Sequence, residues 1–374
     1  MNLRNSQYPK ILSLAFFFIL LLQVVGMVSS HQNAQRLKEF DPWQPGYSNA
    51  AAPFLARWDS GWYAAVAKYG YYLNPDENST VVFFPLYPLL IKGLSQISPL
   101  DYFYAGQLIS WLALCFALVY FYKLLRLDFG DEKAFSILLF LLIFPWSFFL
   151  AAVYTESLFL FLVAASFYYA RKQNWALAGA FGFFASLTRI TGVFLLPALA
   201  YEYLSQNKKL GGKMLWLTLV PSGLAAFMLY LKIKTGYFFA FVLNQDSFGR
   251  HSTFPLRTLW WDIKNTLFFF RHGDLLKALV YALALLVLAL ACYLLITKYR
   301  ELRGSYLIFA WLSLLLPLCT GTTTSLGRYL LNIFPVFIAA GLVENRHFKT
   351  SWYAIGSVAL VALTFSFVGW YFVV

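Results

Sequence analysis

The sequence predicts an all-α polytopic membrane protein, and three observations carry that prediction. Of its 374 residues, 60% are hydrophobic and only 12% are charged, whereas soluble domains carry about 25% charged residues. Apolar runs of roughly 20 residues, the length that crosses a bilayer, recur along the chain, and mean hydropathy is +0.64. Lys and Arg collect in alternate loops between those runs, as they do in cytoplasmic loops. No polar stretch is long enough to fold as a separate soluble domain, so residues 1–374 read as one integral-membrane domain.

The formal charge of +13 follows from those basic loops, and no nucleic-acid partner is expected. Cys115, Cys292 and Cys319 all fall in apolar segments without CxxC spacing. His31, His251, His272 and His347 are scattered. Neither a disulfide framework, a metal site nor a cofactor is indicated.

Arg4 and Lys10 precede the apolar run Ile11–Val28, which reads as a membrane anchor. Ser29-Ser30 leaves a cleaved signal peptide as the competing reading, although the run exceeds the usual length of such a core. In both readings the following segment is exported.

Residues 31–103 form the first external loop. Over 31–82 its charges nearly cancel, with Arg36, Lys38, Arg57 and Lys68 against Glu39, Asp41, Asp59, Asp76 and Glu77. Leu55, Trp58, Trp62, Ala65 and Tyr69 recur at three- and four-residue spacing. That spacing predicts an amphipathic helix over 54–70, lying in the interface with its aromatic rings at headgroup depth. Asn78-Ser79-Thr80 matches a glycosylation acceptor pattern. Residues 83–97 are apolar but short, with Pro85, Pro88 and Lys92 among them. If they spanned, every later basic loop would lie outside, so they are expected to be interfacial or re-entrant.

The spans then expected are 11–30, 104–122, 134–151, 155–170, 174–187, 191–204, 214–233, 276–297, 305–319, 328–343 and 351–372, about eleven in all. Their inner loops carry Lys123/Arg126/Lys133, Arg171/Lys172, Lys208/Lys209/Lys213, Lys298/Arg300/Arg303 and Arg346/Lys349. The N-terminus is cytoplasmic and the C-terminus external on this reading, with a long external loop over 235–275. Spans 174–187 and 191–204 are short and meet at a polar turn, which suggests a cavity.

This orientation collects the remaining polar groups on the external side. Asp59 lies in the first loop, and Tyr154-Thr155-Glu156-Ser157 starts one span. Thr188-Arg189-Ile190-Thr191-Gly192 breaks another, and Gly321 to Gly327, followed by Arg328-Tyr329, precedes a third. Asn244, Gln245, Asp246, Arg250 and His251 come from the long loop.

A carboxylate can take a proton from a sugar hydroxyl. Arginines can bind a phosphate in two-pronged fashion and stabilise it as it leaves, and aromatic rings can stack on sugar faces. The candidate catalytic residues are therefore Asp59 and Glu156. The candidate substrate-binding residues are Arg57, Trp58, Trp62, Tyr154, Arg189, Arg328 and Tyr329. Alternatives stand beside these. Asp59 and Glu156 could cap helices, Arg189 could serve as the structural partner of Glu156, and Arg328 could snorkel to the interface. A sugar-lipid transporter, or a non-catalytic subunit of a glycosyltransferase complex, would also place polar groups on helix breaks.

Arg57-Trp58-Asp59-Ser60 through Gly70-Tyr71, followed by Phe83-Phe84-Pro85-Leu86-Tyr87-Pro88, resembles the signature of the PIG-V-type mannosyltransferases, the GPI mannosyltransferase II family. Tyr154-Thr155-Glu156-Ser157-Leu158-Phe159 resembles that family's second motif. Thr188-Arg189-Ile190-Thr191-Gly192 resembles a third, where eukaryotic members tend to have Arg-Ser-Asn-Gly. Gly327-Arg328-Tyr329 with Pro335 is compatible and less specific. The resemblance implies a GT-C glycosyltransferase fold and metal-independent transfer of a hexose, mannose in the family. The donor would be a polyprenyl-phosphate sugar, the acceptor a lipid or glycan, and the catalytic acid Asp59. Trp62 stands where eukaryotic members tend to have histidine, and the chain is compact beside them. Both points suggest a prokaryotic relative in a bacterial inner membrane, with its active site external.

Overall fold

The computed structural model describes residues 7–39, 52–74, 77–371 and 373. Arg4, Asp41 and Asp76 of the charge pattern lie outside them. The described residues are helical, with no strand among them, and the chain is an all-α polytopic membrane protein.

Five of the expected spans are continuous and of crossing length: Tyr8–Gln32, Tyr102–Leu125, Gly212–Thr235, Leu275–Thr297 and Arg346–Val368. Their bounds fall within a few residues of 11–30, 104–122, 214–233, 276–297 and 351–372. Each leaves large apolar side chains exposed along one side, such as Phe16, Phe17 and Leu20 on the first and Leu279, Leu286 and Tyr293 on the fourth. In lipid this exposure carries no penalty.

The remaining expected spans are short or broken. Glu156–Arg171, Trp175–Thr188, Leu195–Asn207 and Gly304–Leu318 have 13 to 16 residues. The expected span 134–151 stops at Leu142, after a helix from Asp131, and resumes only as a 3₁₀ turn over Ser147–Leu150. Pro145 lies between the two pieces; its ring has no N–H to offer a continuing helix. The expected span 328–343 divides into Leu326–Leu331 and Phe334–Gly341, with Pro335 at the start of the second piece. Breaks free backbone carbonyls, and serine hydroxyls take some of them up. Ser157 Oγ donates to Leu150 O at 2.5 Å, and Ser147 Oγ donates to Leu141 O. Residues 144 and 146–160 are buried throughout. Irregular backbone survives at membrane depth only under such cover.

The first loop departs from the amphipathic pattern in one respect. Its helix spans Ser60–Tyr69, not 54–70, because the chain makes a left-handed turn at Trp58 (φ 55°). The buried face is Tyr63, Ala64, Val66 and Ala67, while Trp62 is half-buried and Tyr69 exposed.

Residues 83–97 hold no helix of crossing length. Their helix, Leu86–Ile97, has 12 residues, or about 18 Å at 1.5 Å per residue, against the ~30 Å a span needs. It returns alongside the first half of Tyr102–Leu125: Tyr87 OH donates to Gly106 O at 2.8 Å and lies 2.7 Å from Ser110 Oγ.

The long loop 235–275 holds a helix of its own, Pro255–Arg271. It buries Thr258 and Asp262 and exposes Trp260, Trp261, Phe268 and Phe270, the pattern of a helix lying in the interface. Asn244 stitches this loop to the first one. Its Oδ1 accepts from Ser79 N at 2.9 Å, and its Nδ2 donates to Asn74 O at 3.2 Å and Glu77 O at 2.9 Å. Ser79 and Thr80 of the glycosylation triplet are buried in that joint.

Candidate active site

Asp59 stands at the N-terminus of helix Ser60–Tyr69, yet its side chain makes no capping bond. Oδ2 instead accepts from Arg328 NH1 at 2.6 Å, across 269 residues of sequence. The side chain stays 33% exposed, so it is open to a partner from outside. Its backbone is held from behind. Asp59 N donates to Tyr154 OH at 3.0 Å, and Tyr154 OH donates to Arg57 O at 3.1 Å. The left-handed turn at Trp58 stores strain on the order of 1–3 kcal/mol, which the surrounding packing must offset.

Glu156 is fully buried between two arginines. Its Oε1 accepts from Arg189 NH1 at 2.6 Å and lies 3.4 Å from Arg328 Nε, an ion-pair distance without hydrogen-bond alignment. Arg189 NH1 also donates to Thr155 Oγ1 at 3.1 Å. Glu156 Oε2 has no protein partner. The four groups thus form a chain, Asp59–Arg328–Glu156–Arg189, drawn from the first loop and three helix ends.

Two glycines permit the close approaches this needs. A Cβ on Gly192 would strike the Ala185–Ser186 backbone, so glycine lets the turn after Arg189 fold back on its own helix. A Cβ on Gly327 would collide with the Trp146 indole, so glycine lets the helix carrying Arg328 lean on that ring.

Tyr329 gathers a third arginine. The guanidinium carbons of Arg189, Arg250 and Arg328 lie 5.3, 5.2 and 5.4 Å from its ring centroid. Arg250 comes from the long loop. Three guanidinium groups against the carboxylates of Asp59 and Glu156 leave one positive charge around Tyr329. That is an arrangement for an anion with several oxygens.

The structure therefore brings together Asp59, Tyr154, Glu156, Arg189, Arg328 and Tyr329. It places the other three candidates elsewhere. Arg57, expected to bind substrate, is 1% exposed and committed to backbone: it donates to Val368 O at 3.1 Å, Pro53 O at 3.2 Å and Ala56 O at 2.9 Å. Trp58 packs on Trp370 with ring centroids 5.5 Å apart. Trp62 stacks on Phe83 at 5.7 Å and meets Phe248 of the long loop edge-on at 5.8 Å, in a neighbouring aromatic cluster. Arg250 was visible in the sequence only as one polar residue of a long loop. It has no periodicity or motif around it, and only the folded loop brings it to Tyr329. Among the described residues no group of three His, Cys, Asp or Glu side chains could hold a metal ion.

No protein-family model and no curated protein matches the chain. Among solved structures it is similar to ArnT from Cupriavidus metallidurans, in a crystal structure bound to undecaprenyl phosphate. The identity is 13% and the TM-score 0.44, over 95% of this chain and 78% of that one.

Proposed function

We propose that the chain is a membrane glycosyltransferase of the GT-C superfamily, moving a hexose, mannose, from a polyprenyl-phosphate-linked donor to a lipid or glycan acceptor on the external face of a bacterial inner membrane. The observation that carries this reading is the pairing of a part-exposed carboxylate, Asp59, with a set of arginines holding one surplus positive charge around Tyr329. The likeness of the Asp59, Glu156 and Arg189 motifs to those of the PIG-V-type enzymes supports the choice of donor and sugar.

In this reading the acceptor hydroxyl gives its proton to Asp59. Its oxygen bonds to the sugar's anomeric carbon from the face opposite the phosphate. The bond from that carbon to the phosphate oxygen breaks, its electron pair stays on the phosphate, and configuration inverts. Arg328, Arg189 and Arg250 take up the charge that grows on the leaving polyprenyl phosphate. Glu156 is buried and bound on both sides by arginines, so it orients them. Tyr154 fixes the backbone of Asp59.

The test uses purified protein in liposomes of total membrane lipid with radiolabelled polyprenyl-phosphate mannose. Wild type is expected to release polyprenyl phosphate and to pass the label to a new lipid or glycan. Asp59→Asn should lower the rate by about a hundredfold or more. Near-normal turnover in Asp59→Asn sinks the base role, and label that crosses the membrane without forming a new glycosidic bond favours a transporter. A cysteine placed at the exposed Tyr69, in a chain with Cys115, Cys292 and Cys319 replaced, and labelled by an impermeant thiol reagent checks the orientation; labelling from the cytoplasmic side alone overturns it.

A further inference from the structure

The segment after the last helix touches Trp58, beside Asp59, and Trp146, whose ring packs beside Arg328. Helix Arg346–Val368 ends with Gly369 as its cap. Trp370 then takes a left-handed conformation, φ 59°, and its ring packs against Trp58, itself at φ 55°. Left-handed backbone at a bulky aromatic residue is uncommon and persists only where the surroundings over-determine it. Here two such residues face each other, and one of them immediately precedes Asp59.

Arginines fasten the segment on that side. Arg57 Nε donates to Val368 O, Arg36 Nε to Gly369 O at 2.8 Å, and Arg36 NH2 to Trp370 O at 3.3 Å. The Arg36 guanidinium also lies 4.2 Å from the Tyr371 ring centroid. On the other side Trp146 Nε1 donates to Val373 O at 3.0 Å. The same Trp146 ring fills the space beside Gly327, next to Arg328. One short stretch thus braces the turn that carries Asp59 and the ring that supports Arg328.

We propose that residues 369–371, with Val373, are a positioning strap for the Asp59–Arg328 pair, with Trp370 setting the turn at Trp58 that aims the Asp59 carboxylate. This rests on the catalytic role given to Asp59 above. Trp370 is a positioning residue, because it acts on the carboxylate only through Trp58.

The experiment compares wild type, Trp370→Ala, Trp370→Phe and Arg36→Gln in lipid nanodiscs. Hydrogen exchange is read by mass spectrometry on peptides covering 55–63, 324–331 and 275–297, and transfer kinetics on the same preparations. In Trp370→Ala, exchange over 55–63 and 324–331 should rise roughly tenfold while 275–297 is unchanged. kcat should fall by about a hundredfold with the donor KM held. Trp370→Phe should restore both readings. Arg36→Gln, which removes the bonds to Gly369 O and Trp370 O, should give the same pattern more weakly. Unchanged exchange over 55–63 in Trp370→Ala overturns the proposal. So does a rise throughout the chain in both Trp370→Ala and Arg36→Gln, and so does a raised KM with kcat intact. A wild-type protein that transfers no sugar sinks the proposed function, and the exchange pattern then decides the strap by itself.

Discussion

Arginines and carboxylates meet at two places in this molecule, and the two clusters are built from the same residue types. One is the Asp59–Arg328–Glu156–Arg189 chain. The other joins Asp128, which follows a helix, Arg171, which ends one, Glu202 within the second half of a third, and Arg303, which precedes a fourth. There Arg171 NH1 meets Asp128 Oδ2 at 2.6 Å, Arg303 NH2 meets Glu202 Oε1 at 3.0 Å, and Ser305 Oγ donates to Glu202 Oε2 at 2.6 Å. Gln206 Nε2 donates to Glu202 Oε1 at 2.7 Å, and Arg303 NH1 lies 3.6 Å from Asp128 Oδ1. Two arginines balance two acids, and all four carboxylate oxygens have partners. The Asp59 cluster has a third arginine, an unpartnered Oε2 on Glu156, an unaligned Nε on Arg328 and an acid one-third open. A cavity of about 310 Å³ lies beside the Asp128 cluster, so neither ion pairs nor volume singles out the Asp59 cluster. What separates them is saturation. The Asp128 cluster is complete and serves as a clamp between helices. The Asp59 cluster is incomplete, and a multi-oxygen anion and a hydroxyl would complete it.

That contrast can be broken by substitution. The largest effect is expected from Arg328→Lys, which keeps the charge and loses the fork between Asp59 and Glu156. Transfer should fall by roughly a hundred- to a thousandfold while the thermal midpoint in detergent stays close to that of wild type. A matching loss of fold would make this cluster another clamp. Glu202→Ala should do the reverse. It takes the carboxylate from Ser305 Oγ and Gln206 Nε2 and leaves Arg303, one-third exposed, only its 3.6 Å contact with Asp128, which should cost about 1–3 kcal/mol. Thermal unfolding would read that loss, with turnover per folded molecule unchanged; a selective loss of turnover would move the chemistry to this cluster.

Arg250→Ala removes the surplus charge from an adaptable loop. The donor KM should rise roughly tenfold, the worth of one charge-assisted contact, with stability unaltered. An unchanged KM removes Arg250 from the site.

The smallest effect concerns Asp262 on the helix Pro255–Arg271, outside the spans. Its Oδ1 is 3.5 Å from Thr323 N, and its Oδ2 has no protein partner. Burial pushes this carboxyl above its ordinary range, against the lowering effect of the Thr323 hydrogen bonds. The folded chain therefore holds the proton to higher pH than the unfolded chain does. Stability should fall as pH rises from the ordinary carboxylate range through the raised folded value. Asp262→Asn should flatten that slope in thermal unfolding followed against pH; a slope left intact assigns it to other groups.

Much of the fold was legible because membrane crossing imposes a length and a composition. Five spans follow from apolar run length alone, and their bounds moved by only a few residues. The broken spans were less legible, although Pro145 and Pro335 were available as stop signals. The apolar runs continue past both, so length and proline gave opposite answers, and the short buried pieces won because protein covers their free carbonyls. In the site, Glu156, Arg189 and Arg328 were legible as ionisable groups at helix breaks. Arg57 was not. Its neighbours suggested a ligand contact, and nothing local indicates that Val368, more than three hundred residues away, supplies a carbonyl for it.

By itself the sequence determined that the chain is helical, that it crosses a membrane several times, and that its polar groups fall at helix ends. These are consequences of local apolar length and charge placement, which need no knowledge of neighbours. Only the tertiary structure decided which of those groups meet. It set Arg328 against Asp59, closed the Asp128 cluster, carried Arg250 over to Tyr329 and laid Trp370 against Trp58 and Val373 against Trp146. The physical reason is that ion pairing and saturation are properties of groups within a few ångströms in space, and the chain reaches those distances through contacts up to several hundred residues apart in sequence.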